Sequence, residues 1–324
     1  MKALVCKEFG PAENLKVEEI DDPILSPDEV CIKVHAAGVN FPDILMVEGK
    51  YQVKPAFPFT PGAEAAGEIV AIGENVENYK IGQRVIAMTG HGSFAELVKT
   101  TQKKLIPLTD KVDYETASIL PMVYGTSAHA LIQRGKLKKN ETLLVHGAAG
   151  GVGLAAVEIG KAMGAKVIAT ASTDEKCQVA KEHGADEIIN YSSGEFKEIV
   201  KSMTDGKGAD VIYDPVGGDV FDQSLRCIAW EGRLLVIGFT SGRIPSAPAN
   251  LALLKSCAIV GVFWGAFVER TPHLNLENFD KIYEWIEAGY IKPRISMKVP
   301  LEKTLDAMKA IANREIIGKA IVKI

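Results

Sequence analysis

The stretch Val145–Gly153, with the sequence VHGAAGGVG, decides the fold that this chain is expected to adopt. It follows the apolar run TLLV at 142–145 and leads into GLAAVEIGKAMG at 153–164, whose apolar residues have helical spacing. A glycine pattern is weak by itself, but it becomes informative between a strand and a helix. The stretch therefore predicts a βα unit whose helix begins at the glycines.

The same glycines predict a site for a dinucleotide pyrophosphate. The pattern G-x-G-x-x-G is met by Ala148 in the first slot, Gly150 in the second and Gly153 in the third. Gly150 allows the backbone to approach the phosphates, and Gly153 allows the helix to pack against the strand. The first helical turn, with Gly151 and Val152, offers N–H groups and a partial positive charge. The alternative is a glycine-rich turn without a ligand.

Strands alternate with helices on both sides of this loop, from about 125 to 260. The apolar strand patterns are KVIATAS (166–172), DEIINY (186–191), ADVIYDP (209–215) and RLLVIGF (233–239). Apolar strands embedded between helices predict a doubly wound parallel sheet.

The flanking regions have a different texture. Residues 1 to about 120 contain short β-rich runs separated by turn signals, which predicts a β-barrel-like fold. The C-terminal part contains two amphipathic helical patterns at 276–289 and 301–314 and a closing strand at 318–324. We expect a β-rich domain made of 1–122 and 261–324, with a nucleotide-binding domain, 123–260, inserted into it.

Composition excludes several classes of function. The chain has 324 residues, 47% of them hydrophobic and 24% charged, with a formal net charge of −4. This charge gives no general attraction to nucleic acid or to anionic membranes. The N-terminus lacks the apolar segment of a signal peptide, and no run of about 18 apolar residues occurs. We expect a cytoplasmic protein whose five separated cysteines are reduced.

The residues at the end of KVIATAS, the second predicted strand of the nucleotide-binding domain, indicate which dinucleotide binds. A site for NADH usually has Asp or Glu there to bind the ribose 2′-hydroxyl. Here the slot falls at Ala171, followed by Ser172 and Thr173, with Lys176 one helical turn on. Hydroxyls and an ammonium favour the 2′-phosphate of NADPH. The nearby Asp174 leaves some of this interpretation open.

Several separated motifs together resemble one known family. The chain is similar, over essentially its whole length, to the zinc-free quinone oxidoreductase branch of the medium-chain dehydrogenase/reductase superfamily. The motifs are GVNFPD at 38–43, PGAEAAG at 61–67, the glycine loop, STDEK at 172–176, DPVGG at 214–218 and GK at 318–319. The resemblance implies an α/β protein, with a GroES-like β-rich catalytic domain around an inserted Rossmann domain. It also implies NADPH as cofactor and a homodimer.

The metal site of the related alcohol dehydrogenases has no counterpart here. Those relatives have a Cys where this chain has Asn40 and a His where it has Ala63, and their four-cysteine lobe is missing. Asp43 and Glu64 remain, but two carboxylates without soft ligands make a poor zinc site. We expect no metal. A zinc-independent enzyme needs an acceptor that conjugation has already polarised, such as a quinone or an α,β-unsaturated carbonyl.

The resemblance also implies roles for individual residues. Asn40 would reach the nicotinamide of the cofactor and donate a hydrogen bond to the acceptor oxygen. Tyr51 would stack on the acceptor or donate its hydroxyl, and Asp43 is the third catalytic candidate. Asn40 can also be a turn residue, and Tyr51 a packing residue. The remaining cofactor-binding candidates are Thr126, Tyr191, Phe239, Phe263, Trp264, Asn313, Arg314 and Lys319, the last three for the phosphates.

Two other functions stay open. The first is reduction of acryloyl-CoA or another enoyl thioester on the same scaffold. The second is a protein that binds NADPH without turnover, since a fold alone does not prove chemistry.

Overall fold

The computed structural model describes residues 1–324 apart from the side chain of Ser193. The strands are β1 (Lys2–Val5), β2 (Lys16–Glu19), β3 (Glu29–Val39), β4 (Glu64–Ile72), β5 (Arg84–Met88), β6 (Leu97–Thr101), β7 (Leu105–Pro107), β8 (Thr142–Val145), β9 (Lys166–Ala171), β10 (Glu187–Asn190), β11 (Ala209–Asp214), β12 (Ile228–Val236), β13 (Ala258–Gly261), β14 (Ile295–Pro300) and β15 (Lys319–Lys323). The α-helices are α1 (Phe41–Val47), α2 (Tyr114–Ala117), α3 (Thr126–Ala128), α4 (Gly151–Ala162), α5 (Asp174–Glu182), α6 (Phe196–Met203), α7 (Gly218–Cys227), α8 (Ala249–Lys255), α9 (Trp264–Arg270), α10 (Pro272–Glu287) and α11 (Thr304–Ala312). Two π-helical segments, Leu120–Gly125 and His129–Arg134, flank α3.

The chain divides into two compact units. The first contains Met1–Met122 and Pro293–Ile324, and the second contains Val123–Lys292. The expected boundary at 260 therefore moves to 292, because α9 and α10 pack within the second unit. Asn278 of α10 exchanges two hydrogen bonds with Gln133, at 2.8 and 3.1 Å.

The second unit is built on a six-stranded, entirely parallel sheet. Its strand order is β10-β9-β8-β11-β12-β13. The predicted doubly wound parallel sheet is confirmed. The strands at its centre, β8 and β11, are buried at every residue, as expected for strands that are covered on both faces. The strand order reverses next to β8, and such switch points are where α/β sheets bind ligands.

The first unit is mainly antiparallel and centres on the eleven-residue strand β3. One edge of β3 pairs with β4, and the other pairs with β6 near its start and with β15 near its end. This sheet has seven strands: six in the order β14-β15-β3-β4-β5-β7, and β6, which lies off this path and pairs with β3. In the antiparallel register of β15 and β3, Ala320 lies opposite Val39. This register brings Lys319 next to Asn40, although 279 residues separate them along the chain.

In the part of the chain that the structure describes, we find no helix that is both long and apolar enough to span a membrane.

Candidate functional site

The glycine loop after β8 has the geometry of an anion cradle. Gly147 has a positive φ of 56°, and the N–H of Gly150 donates to its carbonyl oxygen at 3.0 Å. Gly150 is the N-cap of α4, and among the described residues no side chain caps this helix. The first N–H groups of a helix have no partner within the helix. Those of Gly151 and Val152 can therefore bind phosphate.

Gly153 is required by the packing of α4 on this loop. A Cβ added to Gly153 would lie 2.2 Å from the carbonyl oxygen of Gly147 and 2.9 Å from the Cα of Ala148. Both neighbours are backbone atoms, so no side-chain rotation could relieve the overlap. Ala148 is fully buried and its N–H donates to Thr170 O at 3.0 Å. The cradle is thus a fixed backbone shape that only glycine permits.

The end of β9 carries hydroxyls and an ammonium, with Ala171 buried as the last strand residue. Thr173 is the N-cap of α5 and its Oγ1 accepts from Lys176 N at 3.2 Å. The carboxylate of Asp174 accepts from Asn190 Nδ2 at 2.7 Å. Ser172, Thr173 and Lys176 lie at the junction of β9 and α5.

Tyr191 follows β10, the strand beside β9 in the sheet. It begins a single 3₁₀ turn in which Ser192 Oγ donates to Ser172 O at 2.7 Å. This bond joins the ends of the two neighbouring strands. Tyr191 therefore follows the end of β10, the strand that pairs with β9.

Thr126 lies half-buried between the two π-helical segments. Such segments occur frequently at functional sites. Just before it, a Cβ on Gly125 would be 2.8 Å from the ring of Trp264, so the indole packs against backbone. Trp264 is buried and its Nε1 donates to Asn275 Oδ1 at 3.1 Å. Trp264 therefore packs against the residue before Thr126, and its expected contact with the cofactor stays a prediction.

Phe263 and Phe239 remain available for contact with a ligand. Phe263 is 74% exposed, which is unusual for so large an apolar side chain. Phe239 is partly exposed and packs over Gly217, whose added Cβ would be 3.0 Å from its ring.

In the first unit, Asn40 is held between two opposite charges. Its Oδ1 accepts from Lys319 Nζ at 2.5 Å, and its Nδ2 donates to Glu64 Oε1 at 2.8 Å. A second, long contact runs from Nδ2 to Gly38 O at 3.4 Å. Asn40, Glu64 and Lys319 are all buried. Gly38 makes this possible, since a Cβ there would lie 2.4 Å from Glu64 Oε1.

Lys319 lies beside Asn40. Its ammonium donates to Val39 O at 2.9 Å and to Asn40 Oδ1, and a longer contact of 3.4 Å reaches Glu64 Oε1. The structure thus shows Lys319 as a partner of Asn40, and its expected contact with a phosphate stays a prediction.

Asp43 is next to the cluster formed by Asn40, Glu64 and Lys319, and it is fully buried. Its Oδ2 accepts from Asn40 N at 2.8 Å, whereas its Oδ1 has no hydrogen-bond partner among the described residues. Burial raises the pKa of this carboxyl to about 7, against the smaller lowering effects of the Asn40 N–H and the Lys319 charge. Asp43 therefore exchanges a proton near neutral pH.

Tyr51 is half-buried and packs against the core of the first unit. Burial, followed by the charge of Asp43, raises the pKa of its phenol. The hydroxyl therefore stays protonated at neutral pH and can act as a donor.

Asn313 and Arg314 follow α11 and are exposed. Asn313 Nδ2 donates to Glu315 Oε1 at 3.1 Å, and Arg314 adopts a positive φ of 60°.

Sequence reasoning missed the central position of Glu64, which it treated only as a remnant of a metal site. Glu64 Oε2 also accepts from Met122 N at 2.8 Å. One sequence signal could have identified Glu64: it is the single acidic residue in the run of small residues PGAEAAG. A carboxylate buried in such a run needs hydrogen-bond partners.

Comparison with known proteins agrees with this architecture. Residues 26–110 match the alcohol dehydrogenase GroES-like domain, and residues 151–281 match the zinc-binding dehydrogenase family. The chain is 38% identical to quinone oxidoreductase-like protein 2 of Rattus norvegicus, over all of this chain and 92% of the relative.

Several solved structures match the whole chain. Escherichia coli quinone oxidoreductase complexed with NADPH has a TM-score of 0.92 at 28% identity, with all of both chains covered. A 2-haloacrylate reductase has a TM-score of 0.88 at 28% identity, covering 99% of that chain. The units described above thus contain a GroES-like fold and a Rossmann fold. The chain belongs to the zinc-free quinone oxidoreductase branch of the medium-chain dehydrogenase/reductase superfamily.

Proposed function

We propose that this protein uses NADPH to reduce a quinone or another α,β-unsaturated carbonyl compound, without a metal ion. The observation that carries the proposal is the Asn40 amide, a neutral donor held between a buried ammonium and a buried carboxylate. Such a preorganised donor stabilises negative charge that develops on an acceptor oxygen. A conjugated acceptor spreads this charge itself and needs no Lewis acid.

The second unit has residues that fit NADPH. The backbone cradle, which a Cβ at Gly153 would fill, would hold the pyrophosphate on the N–H groups of Gly151 and Val152. Ser172, Thr173 and Lys176 would bind the 2′-phosphate, with Tyr191 beside them. Thr126 would contact the nicotinamide side, and Phe239, Phe263, Asn313 and Arg314 would be further contacts. NADPH would supply a hydride when bound, and the solved structure of the Escherichia coli relative is a complex with NADPH.

The first unit would handle the acceptor. Only one of the two Asn40 amide hydrogens can point at Glu64, and the other has only the 3.4 Å contact to Gly38 O, which is too long to be strong. This second N–H would donate to the acceptor oxygen. Tyr51, with its protonated hydroxyl, would stack on the acceptor or donate to it, and water would provide the final proton.

A second candidate function is reduction of an electron-poor acid or thioester. It is favoured by the similarity to a 2-haloacrylate reductase, whose name describes an alkene conjugated to a carboxyl group. Acryloyl-CoA and other enoyl thioesters have the same polarised double bond. Both candidates use the same hydride and the same oxyanion donor, so the acceptor alone distinguishes them.

Steady-state assays test the proposal directly. NADPH oxidation is followed at 340 nm with 1,4-benzoquinone, 1,2-naphthoquinone, an alkyl vinyl ketone, 2-chloroacrylate and acryloyl-CoA, before and after dialysis against EDTA. We expect the quinones or the vinyl ketone to give the largest kcat/KM, unchanged by EDTA. A rate that disappears with EDTA, or no turnover with any acceptor, would contradict the proposal.

The preference for NADPH predicts the effect of a charge reversal. Lys176→Glu should lower kcat/KM for NADPH by about 100-fold, since a lost charge-assisted bond and a new repulsion act together on the 2′-phosphate, while NADH is little affected. Lys181→Glu, on the same helix α5, is the matched control and should keep the preference. If Lys176→Glu lowers kcat/KM equally for NADPH and NADH, Lys176 does not bind the 2′-phosphate.

We further propose a homodimer formed through the edge of the second unit's sheet. The edge strand β13 pairs with β12 only, among the described residues, and three of its four residues are exposed. Just before it, Leu253 and Leu254 of α8 are 79% and 65% exposed. An apolar edge of this kind pairs with another strand unless something covers it, and a second copy supplies an identical strand.

A lysine on this edge should break the dimer. Ile259→Lys is expected to change the mass by light scattering from about twice 34.9 kDa to 34.9 kDa, because charged side chains block edge pairing. Ile81→Lys, at an exposed isoleucine in the first unit, should leave the mass unchanged. A wild-type monomer, or a dimer that survives Ile259→Lys, would refute this interface.

A further inference from the structure

We infer that Lys319 is a positioning residue for the reaction: its ammonium fixes which way the Asn40 amide faces, so that an N–H and not a carbonyl oxygen is offered to the acceptor. This inference rests on the proposed function, in which Asn40 is the oxyanion donor. It assigns to Lys319 a task that differs from binding a phosphate.

The argument begins with what each partner can do chemically. A lysine ammonium only donates hydrogen bonds and an ionised carboxylate only accepts them. Asn40 has Lys319 on one side and Glu64 on the other, at 2.5 and 2.8 Å. Turning the amide over would place its NH₂ group against the ammonium and its oxygen against the carboxylate. Both bonds would become repulsive, so a single orientation is stable.

The fold determines where this ammonium lies. Lys319 is the first residue of β15, which pairs with the end of β3 just before Asn40. Gly318, with a φ of +89°, precedes it, and a Cβ there would lie 2.6 Å from Arg294 O. Lys319 is 6% exposed, and its ammonium also donates to Val39 O at 2.9 Å. Lys319 is therefore anchored to the strand that carries Asn40.

The amide is also polarised by this arrangement. Lys319 draws electron density toward Oδ1, and the Nδ2 hydrogens become better donors, as in other chains of hydrogen bonds in a low-dielectric interior. One of these hydrogens is taken by Glu64. The other is held only by the long contact to Gly38 O. A fixed, polarised donor costs little reorganisation when charge develops on an acceptor.

Removing Lys319 alone would leave the Glu64 carboxylate buried without its cation, which is strongly destabilising. The test therefore uses the double variant Lys319→Met/Glu64→Gln, which removes both charges together and lets the Asn40 amide turn over. Lys323→Met is the matched control, because this lysine lies on the same strand but is exposed and paired with Glu115.

The measurements are kcat with 1,2-naphthoquinone at saturating NADPH, the NADPH Kd by fluorescence titration, and the melting temperature. We expect the double variant to lose at least about tenfold in kcat, since an oriented oxyanion donor contributes about 10²–10³. Its NADPH Kd should stay within about twofold of the wild-type value, and Lys323→Met should match the wild type in kcat and Kd. A merely structural role would lower the melting temperature without this selective loss of kcat.

Two results would overturn the inference. An unchanged kcat in the folded double variant would show that Lys319 does not position the donor. A raised NADPH Kd with normal kcat at saturation would return Lys319 to a phosphate role. If the double variant does not fold, Asn40→Asp decides: it keeps the Lys319 bond but lacks the N–H donor, and a wild-type kcat there would also refute the inference. Wild-type protein inactive with every acceptor would remove the proposed function, and this inference with it.

Discussion

Replacing Gly153 with alanine is expected to raise the NADPH Kd at least about 100-fold and to lower stability by about 3 kcal/mol. The new Cβ would lie 2.2 Å from Gly147 O, 2.8 Å from Gly147 C and 2.9 Å from Ala148 Cα. Because all three are backbone atoms, relief requires movement of α4 away from the loop. Such a movement takes the first N–H groups of the helix out of line with the phosphates.

Gly150→Ala separates the two contributions of the loop. Gly150 has φ −80° and ψ 170°, which alanine adopts freely, and its Cβ would be 3.4 Å from Gly147 O. The protein should therefore keep its melting temperature while the methyl group keeps the pyrophosphate away from the backbone. Calorimetric titration with NADPH and thermal unfolding measure both quantities. Wild-type affinity in Gly153→Ala would refute the cradle, and wild-type affinity in Gly150→Ala would refute close approach of a phosphate.

The loop and the sheet around it could be predicted because they depend on local patterns. The strand–glycine–helix order between 142 and 164 and the apolar strands after it specify a parallel sheet wherever they occur. The hydroxyls of Ser172 and Thr173 could likewise be identified directly from the residue types at these two positions. In each case the residues that form the strand, the loop and the helix lie within about 30 positions of each other in the chain.

The surroundings of Asn40 could not be predicted in this way. They depend on the register of β15 against β3, which joins residues 279 positions apart. The Gly318-Lys319 pair could be recognised as a motif in the sequence, but the contact of Lys319 with Asn40 could not. The boundary near 260 failed for a similar reason: the amphipathic pattern at 276–289 shows that a helix buries one face, but not which unit it is buried against.

The second large effect is the contribution of Asp43 to the pH dependence of stability between pH 4 and pH 7. Burial raises the pKa of its carboxyl from 3.8 to about 7 in the folded protein. The folded state therefore keeps a proton that the unfolded state releases, and stability falls as pH rises through this interval. Its full contribution is present below pH 4 and is lost above pH 7, a change of at most about 4 kcal/mol.

Asp43→Asn should remove this slope. The amide oxygen of asparagine can still accept from Asn40 N, and its NH₂ group takes the place of Oδ1, which already lacks a partner in the described structure. The stability of the variant relative to the wild type should therefore rise by about 3 kcal/mol between pH 4.5 and pH 7.5, because only the wild type loses stability as Asp43 ionises. Urea denaturation at half-unit pH intervals measures the difference.

The Asp43→Asn variant has to be compared with the wild type, because another buried group changes stability with pH in the opposite direction. Burial lowers the pKa of His146 to about 3, so its contribution makes stability rise with pH up to about 6.5. His146 is bonded to Thr170 and Ser224 in the second unit and contributes equally to both proteins, so it cancels in the difference. Asp110→Asn, at a fully exposed carboxyl, should leave the profile of the wild type unchanged. If the Asp43→Asn and wild-type profiles run parallel from pH 4.5 to 7.5, Asp43 is ionised throughout this range, and the Lys319 charge compensates both carboxylates beside Asn40.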